Sequence, residues 1–515
     1  MKAGEMRKWI VRIVLGVAAV MMVGAVSSYL FIDRELTRMY GGLTEVADPA
    51  LSKESMDSYA IFHVNVLAPE GDRFLPDQIV TIRDGEIRSV GNSTTVPRGI
   101  PSLVGRDMYL VPGFTDSHVH LWESENDLLL YVANGVTQVR DMNSLPVNLR
   151  WRDEIDSGRI GPDIFAVAPQ FATFGPMEGA FVGWVQHKTI VRTAEQVDKA
   201  VQDYVAKGYD AMKASSYLDR EGYIALSAAA AKHDIPLVGH LPVATGLEDL
   251  WASHQSEVAH VEEFVKALDR EFGGYSADTA EDFLTFVRGR SEDVADQMIA
   301  HDISVTSTLE LIDSFQRQKS DLQTELGAAK LVYENPGIAE GTVITSRGMG
   351  WLPDVNIYRW PDQWDDDRKA RSRLYWQTYA EAQHILFEAF MARGVAIMTG
   401  TDANVPVRVP GFSLHEEMAA LQAAGMSPAQ ILASATSVPG DFMGTSTGQV
   451  RPGQKANLVL LRENPLEDIG ATDAIEMVII GDSVFNRKDL DQMLDTVKAA
   501  NDASRTVPIP VAEGG

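Results

Sequence analysis

Residues 111–124, VPGFTDSHVHLWES, run from an apolar stretch through Pro112-Gly113 into two histidines one residue apart, His118 and His120. A strand accounts for the spacing, because alternate side chains point to the same side. The two imidazoles then share one face, about 7 Å apart along the strand. Two imidazoles on one face can hold a metal ion if the rest of the chain supplies partners. Alone, the pair fits a hydrogen-bonded structural pair equally well. Its meaning rests on what ends the other apolar runs.

Those runs are GVTQVRDM, DIFAVAP, YDAMKAS, IPLVGHLP, SEVAHVEE, ISVTSTLEL and VAIMTGTDA, separated by amphipathic stretches such as TAEQVDKAVQDYVAKG. With the opening strand they make eight strand candidates in an α/β alternation. That pattern predicts a (β/α)8 TIM-type barrel over 111–445. The spacing breaks between Leu309 and Gln383, where charged and aromatic residues crowd together, so a helical insertion near 310–383 is expected over one barrel face. Short apolar runs punctuated by Gly and Pro occupy 56–110 and recur in 446–490. Both ends of the chain are therefore expected to build one small β-sandwich domain, followed by a C-terminal helix and tail over 491–515.

Residues 1–55 read as a membrane anchor or signal segment with a linker. Lys2, Arg7, Lys8 and Arg12 precede an uncharged run over 13–31, near the length that crosses a bilayer. Basic residues on that side predict an extracytoplasmic (periplasmic-side) body. Either the segment stays as an N-terminal transmembrane anchor or the protein is exported with cleavage near Ala25-Val26-Ser27. The formal charge of −27 argues against nucleic acid as a partner. The chain has no cysteine. Disulfides and thiolate metal sites are thereby excluded, and a metal would need histidine, carboxylate or modified lysine. The partners left are a small-molecule substrate, the membrane and, as an open case, a second copy in a homo-oligomer.

In a parallel barrel, functional side chains sit at the C-terminal ends of the strands. Metal-ligating types at those positions are His118 and His120, Lys213 (YDAMK), His240 (PLVGH), His260 (SEVAH) and Asp402 (MTGTD). Each has a structural alternative: a salt-bridged lysine, a core histidine, a turn-capping aspartate. Six of them at the ends of five predicted strands fit one bowl better than six separate accidents.

VPGFTDSHVH, GVTQVRDM, GYDAMK, PLVGH, VAH, TGTDA and the tail GQVRPGQKANLVLL resemble the amidohydrolase superfamily, nearest its prolidase-like and imidazolonepropionase-like branch. The resemblance implies that His118 and His120 bind the more buried metal. It implies that Lys213 is carboxylated, that His240 and His260 bind a second metal, and that Asp402 completes the site as general base and acid. A lysine ammonium cannot ligate a cation, so Lys213 serves such a site only as a carbamate. The expected chemistry is hydrolysis of an amide or peptide C–N bond by a hydroxide shared between two divalent ions, zinc foremost, with manganese or cobalt as alternatives. Dipeptides or N-acyl amino acids are the expected substrates, as for a metallopeptidase-like enzyme. The alternatives are a mononuclear cyclic-amide hydrolase or deaminase, and a catalytically silent membrane-anchored binding protein. One departure is VAHVEEF, where many relatives have Glu-His-Gly. Tyr217, Arg140 and His187 are candidate substrate contacts, with an Arg140–Asp141 pair as the structural alternative for the arginine. Ser413 and Glu416 are expected to form a capping box around His415.

Overall fold

The computed structural model describes residues 3–51, 56–92, 99–342 and 350–510. Two consecutive strands, Tyr109–Pro112 and Phe114–Val119, belong to different sheets and meet at Gly113. A Cβ there would lie 2.2 Å from Thr137 Oγ1, so only glycine permits the crossing. The Gly113 N–H donates to the Asn457 carbonyl at 2.8 Å and stitches the junction to the far end of the chain.

Phe114–Val119, Val136–Asp141 and Asp163–Ala166 pair in parallel. So do Met212–Ala214 with Leu237–Gly239, and Glu257–Ala259 with Ser304–Thr306 and Ile397–Met398. Single parallel bridges from Val167 to Ala211, Leu237 to Gln255 and Val119 to Ala403 join the three groups. The ring of eight parallel strands closes, each at the expected place. After the third barrel strand the chain makes an excursion that the sequence reading did not anticipate. Two short strands, Phe171–Ala172 and Thr189–Ile190, bracket a helix over Pro176–Val185.

The two chain ends pair as expected, in an eight-stranded sheet. Tyr109–Pro112 runs antiparallel to Asn457–Leu461, and Ser58–Leu67 lies beside Tyr109–Pro112. Glu86 near one edge bridges back to Lys455, so the sheet curls over its own apolar core. The C-terminal helix Arg487–Ser504 follows.

The insertion is an enlarged crossover between the seventh and eighth barrel strands. Its helices are Leu309–Ala328, Pro336–Glu340 and Asp366–Arg393. The N-terminal helix Ala3–Met39 is long and apolar enough to cross a membrane. Its last turn is no free linker. Leu36, Met39 and Tyr40 are buried in an apolar cluster with Trp122, Val185, Ile338 and Trp351.

Gly113→Val should lower unfolding stability by about 1–3 kcal/mol, the usual cost of overpacking. Gly91→Ala, at a position with open space around it, should be near neutral in the same urea titration.

Candidate metal centre

The six ligand-type side chains converge at the C-terminal mouth of the barrel. Oδ1 of Asp402 lies 3.1 Å from His120 Nε2 and 3.4 Å from His118 Nε2. Lys213 Nζ lies 3.4 Å from His118 Nε2. The His118 and His260 rings are 4.4 Å apart and the His260 and His240 rings 5.4 Å apart. His118 and Lys213 are fully buried. His260 and Asp402 hold positive φ, +88° and +56°. Backbone strain of this kind, costing about 1–3 kcal/mol, persists only where the surroundings enforce it.

Burial pushes the His118 and His240 imidazoles well below their ordinary range and His260 down to about 4. All three are neutral at pH 7, with lone pairs available. Burial brings Lys213 down to about 8, against the pull of Asp402 and Glu257. Burial alone would raise Asp402, but His120, His260 and Lys213 hold it down to about 2. The donor set suits a nitrogen- and oxygen-preferring divalent ion. Donor atoms of His118, His260 and Asp402 all lie within 4.8 Å of one another. Asp402 Oδ1 is buried without a hydrogen-bond partner, although two imidazole nitrogens face it. A cation is what such a convergence of acceptors fits.

A second layer holds these groups. Asp116 Oδ1 accepts from the backbone N–H of His118 (3.2 Å) and Thr401 (3.1 Å), while Oδ2 accepts from Thr401 Oγ1 (2.7 Å). Thr308 Oγ1 lies 2.9 Å from His260 Nδ1, and Ser216 Oγ lies 3.2 Å from His240 Nδ1. Asn404 Nδ2 donates to the His120 carbonyl and to Asp127, both at 2.7 Å. Tyr358, from the insertion, is partly buried, and desolvation with the charges of Asp402 and Glu262 pushes its phenol up.

Arg140 is fully buried in the barrel interior. Its donors are committed to Glu257 at 2.5 Å, the Ser117 carbonyl at 2.8 Å and Thr306 at 3.0 Å, so it offers nothing to a substrate. Glu257 also takes the place of the expected Asp141 partner. His187 packs its ring 5.0 Å from Tyr40. Tyr217 is exposed, against Phe174, with Lys188 Nζ 5.1 Å from its ring centre. The expected capping box at Ser413 is absent: Gly411 precedes that helix, and Glu416 pairs with Arg408. His415 lies between Thr472 and the Asn134 carbonyl.

Lys188 was missed. It lines a cavity of about 340 Å³ together with His120, Trp122, Gln170, Tyr40 and Val185. Its Nζ donates to Gln170 at 3.0 Å and Ser215 at 3.3 Å, with no carboxylate in ion-pair range among the described residues. Burial lowers its pKa to about 8.

Residues 109–485 match the model of the Amidohydrolase family. The chain belongs to that family. It is a hydrolase acting on carbon–nitrogen bonds. Among solved structures, a bottromycin amidohydrolase is similar with a TM-score of 0.68 and 22% identity, over 90% of this chain and 96% of the other. A Xaa-Pro dipeptidase with methionine bound in its active site is similar at TM-score 0.60 and 16% identity, over 83% of this chain and 100% of the other. An A. niger ochratoxinase is similar at TM-score 0.59 and 17% identity, over 84% of this chain and 96% of the other. No sequence among curated proteins matches the chain.

Asp116→Asn keeps the side-chain shape and removes the charge behind His118 and Thr401. Affinity for zinc, measured by competition with a chelator, should fall about 10–100-fold, the usual cost of losing a group that orients the ligands.

Proposed function

We propose that the protein is an exported, membrane-anchored hydrolase that uses two divalent ions, zinc foremost, to cleave the amide bond of dipeptides or N-acyl amino acids. The observation that carries this reading is the convergence of six ligand-type side chains beside a cavity lined by a partly buried lysine, Lys188, with no carboxylate in ion-pair range among the described residues. His118 and His120 with Asp402 would hold one ion, and His240 with His260 the second. Lys213 would serve both as a carbamate.

When bound, such ions supply Lewis acidity toward the substrate carbonyl and lower the pKa of water. The protein's own groups do the rest. At a pKa of about 8, an appreciable fraction of Lys213 is the free amine that condenses with carbon dioxide, losing a proton as the N–C bond forms. Asp402, ionised because its neighbours hold it at about 2, accepts a proton from the attacking water. The same proton passes to the amide nitrogen as the C–N bond breaks, giving a carboxylic acid and an amine. Lys188 pairs with the substrate carboxylate, and Tyr40, Trp122 and Val185 enclose its apolar part. The dipeptidase among proteins of this fold supports a peptide-like substrate. The basic residues ahead of the apolar helix support an outward-facing body.

The test is a library of dipeptides and N-acyl amino acids offered to metal-loaded protein. At least one class should be hydrolysed, with kcat down about 10²–10⁴-fold in Asp402→Asn. Lys188→Met should raise KM about 10–100-fold, the loss of one charged hydrogen bond, and leave turnover of the matching carboxamide unchanged. An intact library would defeat the reading.

A further inference from the structure

The helix Pro176–Val185, PMEGAFVGWV, is apolar on both faces, with Glu178 as its one charged side chain. Gly179, Val182 and Val185 are buried on one side. On the opposite side Met177 is 89% exposed and Phe181 55% exposed, with Ala180 exposed between them. Met177, Phe181 and Trp184 follow i, i+4, i+7 spacing and so share one stripe. An apolar stripe turned outward marks a contact surface.

The N-terminal helix tells what that surface meets. Trp184 stacks on Tyr29 at 5.1 Å and 18°, and its Nε1 donates to Asp33 Oδ1 at 3.3 Å. Tyr29 lies near the end of the uncharged run over 13–31, and Asp33 is the first charged residue beyond it. When that run spans a bilayer, Tyr29 and Trp184 stand together at the depth where aromatic residues gather, between hydrocarbon and headgroups. The stripe adjoining Trp184 is then at the membrane surface. Arg192, exposed beside this helix, donates through Nε to the Phe174 carbonyl and places a cation near the headgroups.

The same elements frame the cavity. Tyr40 O–H donates to the Val185 carbonyl at 2.7 Å, and both residues line the space that reaches His120. Trp122 stacks on His120 at 5.9 Å and packs edge-on against Tyr40 at 5.4 Å. From Tyr29 to Tyr40 the helix rises about 16 Å. The cavity therefore lies just above the bilayer face, within reach of an acyl chain still partly held there.

We propose that helix Pro176–Val185 lies in the outer interface of the membrane crossed by the N-terminal helix, and that the cavity beside His120 takes long-chain N-acyl amino acids from that leaflet. The carboxylate turns to Lys188, and the acyl chain leaves along Tyr40 and Val185 toward the lipid. This deepens the hydrolase reading and rests on it and on a retained anchor. Water supplies OH to the acyl carbon and H to the nitrogen, so the products are a fatty acid and a free amino acid.

The experiment uses the full chain, metal-loaded, in phosphatidylcholine vesicles. Because the chain has no cysteine, Met177→Cys carries one environment-sensitive fluorophore at a defined site. Quenching by a lipid-borne quencher is expected; quenching only by aqueous iodide overturns the membrane contact, whatever the activity. In parallel, N-acetyl and N-palmitoyl forms of the same amino acid are compared. M177D/F181D should cut palmitoyl hydrolysis from vesicles at least tenfold and leave acetyl hydrolysis within twofold, with Met177→Leu/Phe181→Leu restoring the rate. Equal rates for wild type and M177D/F181D on both substrates overturn the proposal while the hydrolase reading stands. No cleavage of either substrate, nor of any library compound, removes the hydrolase reading and the substrate half of this proposal; the fluorophore still decides the membrane half.

Discussion

The Asp116 carboxylate spans the seam where the first barrel strand meets the eighth, and the mouth of the barrel depends on that seam. One oxygen accepts from the backbone of both strands, at His118 and Thr401, and the other from the Thr401 hydroxyl. The Asp402 N–H donates to the His118 carbonyl at 2.8 Å beside it. These bonds close the ring and bring a histidine pair at the end of one strand against an aspartate nearly three hundred residues later. Burial pushes Asp116 up to about 7 despite its three donors. Beneath it, the buried Arg140–Glu257 pair ties the second strand to the sixth and completes a polar floor under the bowl.

Above the bowl the chain is equally connected. The end of the N-terminal helix, the insertion and the loop after the eighth strand share one apolar cluster through Leu36, Tyr40, Leu326, Trp351 and Val407. Arg38 extends this with an ion pair to Glu340, 3.4 Å apart. Cleavage near residue 27 would leave this contact intact, because the docked turn lies beyond it. The helix that is long and apolar enough to cross a membrane also contributes, through Met39 and the adjoining Tyr40, to the wall of the cavity.

Much of this was legible in the sequence. The six ligand types stand out because each ends an apolar run, and the strand period makes an end-of-strand residue identifiable without partners in view. The junction at Pro112-Gly113 and the pairing of both chain ends were legible for the same reason. The supporting groups were not. Asp116 sits within 111–124, yet its role depends on Thr401, and the sequence sets Asp141 beside Arg140 while its actual partner, Glu257, lies far along the chain. His187 was nominated where Lys188 lines the cavity: the adjoining strand is two residues long, too short for alternation to show which side chain turns inward. The docked turn after the apolar run reads as linker, since RELTRMY carries its apolar residues in too brief a pattern to reveal a buried face.

Anomalous scattering at the zinc edge from crystals of the metal-loaded protein tests the central claim most directly. Two sites are expected in the bowl, one among His118, His120 and Asp402 and the other at His240 and His260, with a carbamate on Lys213 between them. A single site, or zinc bound away from these side chains, would contradict it.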